Sequence, residues 1–144
     1  MSESAFRPLE GGCLCGAVRY RLTEPPAAVL YCHCRMCQRA GAAPVVPWLT
    51  LPSAGFALTA GRPVEYQSSH KAIRSFCPTC GTPLTFRYIK AAAWIDVTLS
   101  SLDDPAALPP RYHTWTSSQM PWLQIRDDLP RYPERGPKVT EGTS

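Results

Sequence analysis

No stretch of this sequence approaches the roughly 18 consecutive apolar residues that a membrane-spanning helix needs, so no membrane association is expected. The opening residues, MSESAFRPLEGG, lack the basic and apolar regions of a secretion signal, so no signal peptide is expected either. Clusters of Lys and Arg are also missing. The formal net charge is +4 and rests mostly on scattered arginines, so no nucleic-acid partner is expected. No internal repeat divides the chain. A single domain is expected over residues 1–132, followed by a flexible, Pro/Gly-rich polar tail over 133–144.

A cytoplasmic location follows as the expectation, and cytosolic thiols stay reduced. Seven cysteines there point to metal binding or catalysis before disulfides. The odd count also disfavours a purely disulfide framework. Hydrophobic residues make up 44% of the 144, enough for a core that needs no staples.

Sixteen prolines and nine glycines cut the chain into short pieces. Val18 to Leu22 alternates apolar and polar, as a half-buried strand does. The stretch through Val46, Trp48 and Thr50, with Leu49 and Leu51 between them, is read the same way. Further strands are expected at Phe56 to Thr59, Val64 to Gln67, Ile73 to Phe76, Leu84 to Tyr88 and Trp94 to Leu99. This spacing predicts an antiparallel, mainly β domain. Only Cys34 to Ala40 reads as helix, since it lacks Pro, Gly and β-branched residues, and Gly41 is the expected C-cap. SLDDPAALPP is expected to add a turn of helix beginning near Ser101 or Asp103.

By spacing the cysteines form three groups: Cys13 and Cys15, then Cys32, Cys34 and Cys37, then Cys77 and Cys80. The last pair sits in FCPTCGTPL, a zinc-knuckle pattern whose glycine lets the backbone turn tightly. A structural zinc takes four ligands, and the glycine-flanked pair in GGCLCGAV completes a Cys13, Cys15, Cys77, Cys80 set. Such a clip would close a loop of about sixty residues. Spacing alone also permits a swap of ligands with the trio.

The trio Cys32, Cys34 and Cys37 is compatible with three arrangements: an open, catalytic zinc site, a structural site closed by a histidine, or a redox thiol cluster. His33 lies between two ligands, so it is expected to orient neighbours rather than bind; His70 and His113 are the distant candidates for closing the site. Seven thiolates and two zinc ions would together remove three charges, which leaves the loaded chain near +1. Trp48, Trp94, Trp115 and Trp122 are expected in the core or lining a groove. Arg35 and Arg39 are solvated helix positions or, on the sharper view, flank the metal and attract an anion.

Three segments, GGCLCGAVRY, YCHCRMCQRAGAAPVVPW and FCPTCGTPLTF, together resemble the glutathione-dependent formaldehyde-activating enzymes, a group that includes the centromere protein V relatives. AAWIDVTLSSLDDP and RYHTWTSSQMPWLQIRDDLPRY extend the resemblance over about residues 10 to 132. It implies an Mss4-like β-tent of small antiparallel sheets around zinc, with one short helix after the Cys32–Cys37 segment. It implies two zinc ions per chain, a structural one at Cys13, Cys15, Cys77 and Cys80 and a substrate-side one at the catalytic trio Cys32, Cys34 and Cys37. The implied activity is that of a carbon–sulfur lyase, S-(hydroxymethyl)glutathione synthase, with a small thiol and an aldehyde as partners. Arg35 or Arg39 would then hold a glutathione carboxylate. The alternatives are a zinc-stabilised protein-interaction module and a thiol redox or metal sensor.

Overall fold

The computed structural model describes residues 6–139. Three strands form a small sheet: β1 (Leu9–Gly12), β2 (Arg19–Leu22) and β5 (Phe56–Ala60), in the order β1-β2-β5. Seven form a larger one: β3 (Ala28–Cys32), β4 (Val46–Pro52), β6 (Val64–Gln67), β7 (Ala72–Phe76), β8 (Pro83–Tyr88), β9 (Trp94–Thr98) and β10 (Tyr112–Thr114). Their order is β10-β3-β4-β9-β8-β7-β6. All pairings are antiparallel except β10 with β3, which is parallel. The domain is mainly β, as expected, with one α-helix among the described residues, α1 (Arg35–Gly41).

The two faces of the larger sheet have different roles. Side chains alternate along a strand. Val29, Leu49, Leu51 and Val97 therefore point one way and, joined by Leu84 at a break in the β7–β8 register, pack against Val18, Tyr20 and Leu22 near the small sheet. Cys32, Trp48 and Phe86 point the other way and form a second cluster with Trp115. β4 lies between β3 and β9, and its residues Trp48 to Leu51 are all buried. It is thus not the half-buried strand that its alternation suggested: polar Thr50 faces a second covered surface rather than water.

Three strands escape sequence reading. β1 contains two glycines, which disfavour strands. Here the glycine is required, because a Cβ on Gly11 would meet the Tyr20 hydroxyl oxygen and the Ser101 carbonyl oxygen at 2.6 Å or less. β3 is a continuous apolar run without alternation, and β10 has three residues defined by pairing to β3. The helix begins inside the Cys32–Cys37 segment rather than after it. Gly41 is its last residue, and Ala42, at φ 48°, makes the left-handed C-cap. SLDDPAALPP contributes one short 3-10 turn at Pro105–Ala107, and another, Leu99–Ser101, ends at its first residue.

The chain from 133, expected as a tail, bonds to the segment after β10: Trp115 N–H donates to Glu134 O at 2.9 Å and Ser117 N–H to Pro133 O at 3.2 Å. The last five residues of that expected tail, 140–144, lie outside the described residues.

Candidate metal centres and the cavity beside them

Two turns of similar build present the first cysteine set. Cys13 N–H donates to Val18 O at 3.0 Å, and Cys77 N–H donates to Thr82 O at 3.0 Å. Each turn carries a left-handed glycine, Gly16 at φ 81° and Gly81 at φ 80°. Backbone amides then point at sulfur: Val18 N–H to Cys13 Sγ at 3.2 Å, Thr79 N–H to Cys77 Sγ at 3.3 Å and Cys80 N–H to Cys77 Sγ at 3.4 Å. Thr82 links the two turns, since its Oγ1 accepts from Leu14 N–H at 3.0 Å and lies 3.2 Å from Cys80 Sγ. These contacts hold the Cys80 thiol down at about 5, the Thr82 hydroxyl contributing most.

The four sulfurs of Cys13, Cys15, Cys77 and Cys80 all lie within 4.8 Å of one another. Cys13 and Cys15 are 3.6 Å apart at sulfur, Cys15 and Cys77 3.8 Å. A disulfide requires about 2.05 Å. A tetrahedral ion with metal–sulfur bonds of about 2.3 Å spaces its sulfurs about 3.8 Å apart. The donor set therefore fits a metal ion, with no cross-link among these thiols.

The trio comes from three local structures. Cys32 ends β3, Cys34 is the N-cap of α1 and Cys37 lies in its first turn. Cys34 Sγ accepts from Cys37 N–H at 3.3 Å. The three sulfurs lie within 4.8 Å of one another, and Cys32 and Cys37 are buried. Crowding splits their acidity: the neighbouring sulfurs of Cys32 and Cys37 drive Cys34 far down, and the Cys34 sulfur drives Cys32 far up. Three thiolates so close cannot coexist without a cation, so this set fits a metal ion as well.

Among the described residues no histidine joins the trio. Both ring nitrogens of His113 are engaged, Nδ1 with His33 Nε2 at 2.9 Å and Nε2 with Asp127 Oδ2 at 2.9 Å. His33 and His113 are both 0% exposed. The Asp127–His113–His33 chain braces the trio's loop from behind, together with Gln38, whose Nε2 donates to His33 O at 2.8 Å and Ser118 O at 3.0 Å. His70 is exposed, and it is not part of the cluster.

A cavity of about 620 Å³ opens beside the trio, within the range of small-molecule sites. All three cysteines line it, with Trp48, Phe86, Tyr88, Trp94 and Trp115 as aromatic walls. Trp115 adopts a left-handed conformation, φ 55°, costly for a bulky residue. Among the described residues, the cavity's cations are Arg35, Arg74, Arg87, Arg135 and Lys138, and its one acid is Asp96. Arg74 lies over Phe86 at 4.9 Å and donates to Cys37 Sγ at 3.6 Å. Arg87 pairs with Glu65 at 2.9 Å, and Arg35 donates to Gln38 Oε1 at 2.7 Å. Arg39 instead lines a neighbouring groove of about 1050 Å³, which shares Met36, Cys37, Trp48 and Arg74 with the cavity.

Sequence reading missed Arg74, Asp96, Arg135 and Lys138. A lone acid inside the apolar strand WIDVT was the one available signal, since an aspartate in a buried strand demands a reason.

Fold and sites together define a β domain with two cysteine sets that can hold metal, one of them open to a cavity. The sequence pattern of the glutathione-dependent formaldehyde-activating enzymes matches residues 8–118, and the chain belongs to that family. A protein of Halomonas elongata, provisionally named as such an enzyme, is 26% identical over 139 residues, covering 81% of this chain and 80% of that protein. An uncharacterized lyase of Schizosaccharomyces pombe is 33% identical over 86 residues, which cover 55% of this chain and 57% of that protein. The crystal structure of a Rhodobacter sphaeroides protein matches with a TM-score of 0.56 and 25% identity, over 72% of this chain and 93% of that one. No helix among the described residues is long and apolar enough to cross a membrane.

Proposed function

We propose that the chain is a two-zinc enzyme of the carbon–sulfur lyase class that joins a glutathione-like thiol to formaldehyde or a similar small aldehyde. The observation that carries this is the trio: three sulfurs within 4.8 Å of one another, on the wall of a cavity fringed by cations. Cys13, Cys15, Cys77 and Cys80 would hold the structural zinc, and Cys32, Cys34 and Cys37 the second. A zinc ion held by Cys32, Cys34 and Cys37 would offer a place to a thiol and would favour its ionised form.

The protein's own residues supply the remainder. Arg74 donates to Cys37 Sγ, spreading the charge that three thiolates concentrate. Trp48, Phe86 and Trp115 exclude water from the reacting sulfur. Arg35, Arg135 and Lys138 line the cavity and suit the carboxylates of a tripeptide thiol. Arg39, in the neighbouring groove, can assist only a ligand that reaches past Met36.

Calorimetric titration of glutathione into protein of measured zinc content tests this function. Wild type is expected to bind, while Cys37→Ser is expected to lose both the second zinc and the binding. Silence from wild-type protein carrying two zincs, even at millimolar glutathione, would end the glutathione assignment.

A further inference from the structure

Addition of a thiol to an aldehyde needs a place to keep a proton. The thiol gives one up on binding, and the alkoxide formed by C–S bond formation needs one back. Among the described residues, the cavity beside the trio contains a single carboxyl group, Asp96. Its position follows from register. β9 sits between β4 and β8, and Asp96 lies opposite Thr50 on one side and Phe86 on the other. The same face continues to Arg74 on β7 through the Phe86 pairing, and to Trp48, two residues from Thr50 on β4. Thr50 Oγ1 donates to Asp96 Oδ1 at 2.5 Å. Asp96 Oδ2 has no hydrogen-bond partner among the described residues, and Asp96 lines the cavity. A strand position inside WIDVT normally takes an apolar residue, so an acid there, half-bonded and facing the cysteines' cavity, is not explained by packing.

We infer that Asp96 is the proton carrier of the site, taking the proton of the entering thiol and returning it to the aldehyde oxygen. This inference rests on the thiol–aldehyde function proposed above. The steps balance without a further reactant. The S–H bond breaks, its proton goes to the Asp96 carboxylate and its electron pair stays on sulfur. Sulfur then forms the C–S bond with the carbonyl carbon while the π pair of C=O moves to oxygen. That oxygen takes the proton from Asp96, which returns to its carboxylate form. The sum is thiol plus aldehyde to hemithioacetal.

The environment suits the task. Desolvation by the surrounding walls pushes the Asp96 carboxyl up to about 7, against the Thr50 hydrogen bond, with the Cys37 charge raising it further and Arg74 lowering it. A carboxyl near the working pH transfers protons in both directions most effectively. The other groups that face it are Tyr88 on β8, Tyr112 on β10, Cys32 and Cys34, with Arg35, Arg87, Arg135 and Lys138 at the edges of the cavity. A thiolate arriving in this space adds a like charge and raises the carboxyl further, so binding and protonation of Asp96 are coupled.

The test counts protons. Glutathione is titrated into zinc-loaded wild type and Asp96→Asn at about pH 8, in two buffers of different ionisation heat, and the proton release per thiol is extracted. Wild type is expected to release close to none, and Asp96→Asn about one per bound thiol. In NMR exchange measurements of glutathione–formaldehyde adduct formation, Asp96→Asn is expected to lose about 10²–10⁴-fold in rate, with its ascending pH limb abolished. Thr50→Val keeps the carboxyl but removes the bond that favours its charged form, so its limb is expected to move to higher pH; this variant decides the matter if Asp96→Asn does not fold. Equal proton release from wild type and Asp96→Asn, or an unmoved limb in Thr50→Val, overturns the role of Asp96 while the thiol–aldehyde function stands. Wild type that binds no glutathione overturns both.

Discussion

At the scale of single residues, the cysteines depend on neighbours that hold them. Thr82 joins the two knuckles, accepting from Leu14 N–H and contacting Cys80 Sγ. Groups around metal ligands typically tune affinity by 10–100-fold. Thr82→Val is therefore expected to weaken metal retention at the four-cysteine set by about that factor, read as the equilibrium against a chromophoric chelator. An unchanged affinity would mean that the backbone turns alone set the geometry. The cysteine groups were legible because metal ligands in knuckles sit two or three residues apart, a local pattern. His113 was left as a candidate ligand, because nothing in the sequence shows that its two nitrogens are occupied by His33 and Asp127.

At the scale of elements, β4 organises the molecule. Leu49 and Leu51 face the main core while Trp48 and Thr50 face the cavity side. Leu49 is 0% exposed, so Leu49→Ala is expected to cost about 2–5 kcal/mol in urea unfolding. Leu58 on β5 is 42% exposed, and Leu58→Ala is expected to stay within about 0.5 kcal/mol. Equal losses at the two positions would contradict the placement of the core between the sheets. The strands with clear β character, such as Val64 to Gln67, were recognised from sequence. β1 was not, because its glycines are there to let the backbone pass over Tyr20, a contact made across the fold.

At the scale of the whole molecule, the four-cysteine set ties residues 62 apart in sequence, from the turn after β1 to the turn between β7 and β8. A structural zinc contributes about 10–16 kcal/mol to small metal-dependent domains, comparable with the total stability of a domain this size. Stripping metal with a strong chelator is expected to abolish the cooperative thermal transition seen by circular dichroism. Cys77→Ser is expected to reproduce that loss, whereas Cys37→Ser is expected to keep a cooperative transition. A chelated protein with an unaltered melting curve would remove the structural role from the four-cysteine set.

The β class, the position of the helix and the grouping of the seven cysteines as two, three and two were readable along the chain, whereas the joining of the first and last groups into one set of four came from the fold. The readable features follow from alternation, propensity and ligand spacing, which act over a few residues. What stands beside the trio came from contacts between distant parts of the chain. Strand register placed Asp96, Arg74 and Trp48 on one covered face, and the chain after β10 brought Arg135 and Lys138 to its rim. Register depends on how strands far apart in sequence bury their apolar faces together, so no local pattern could announce it.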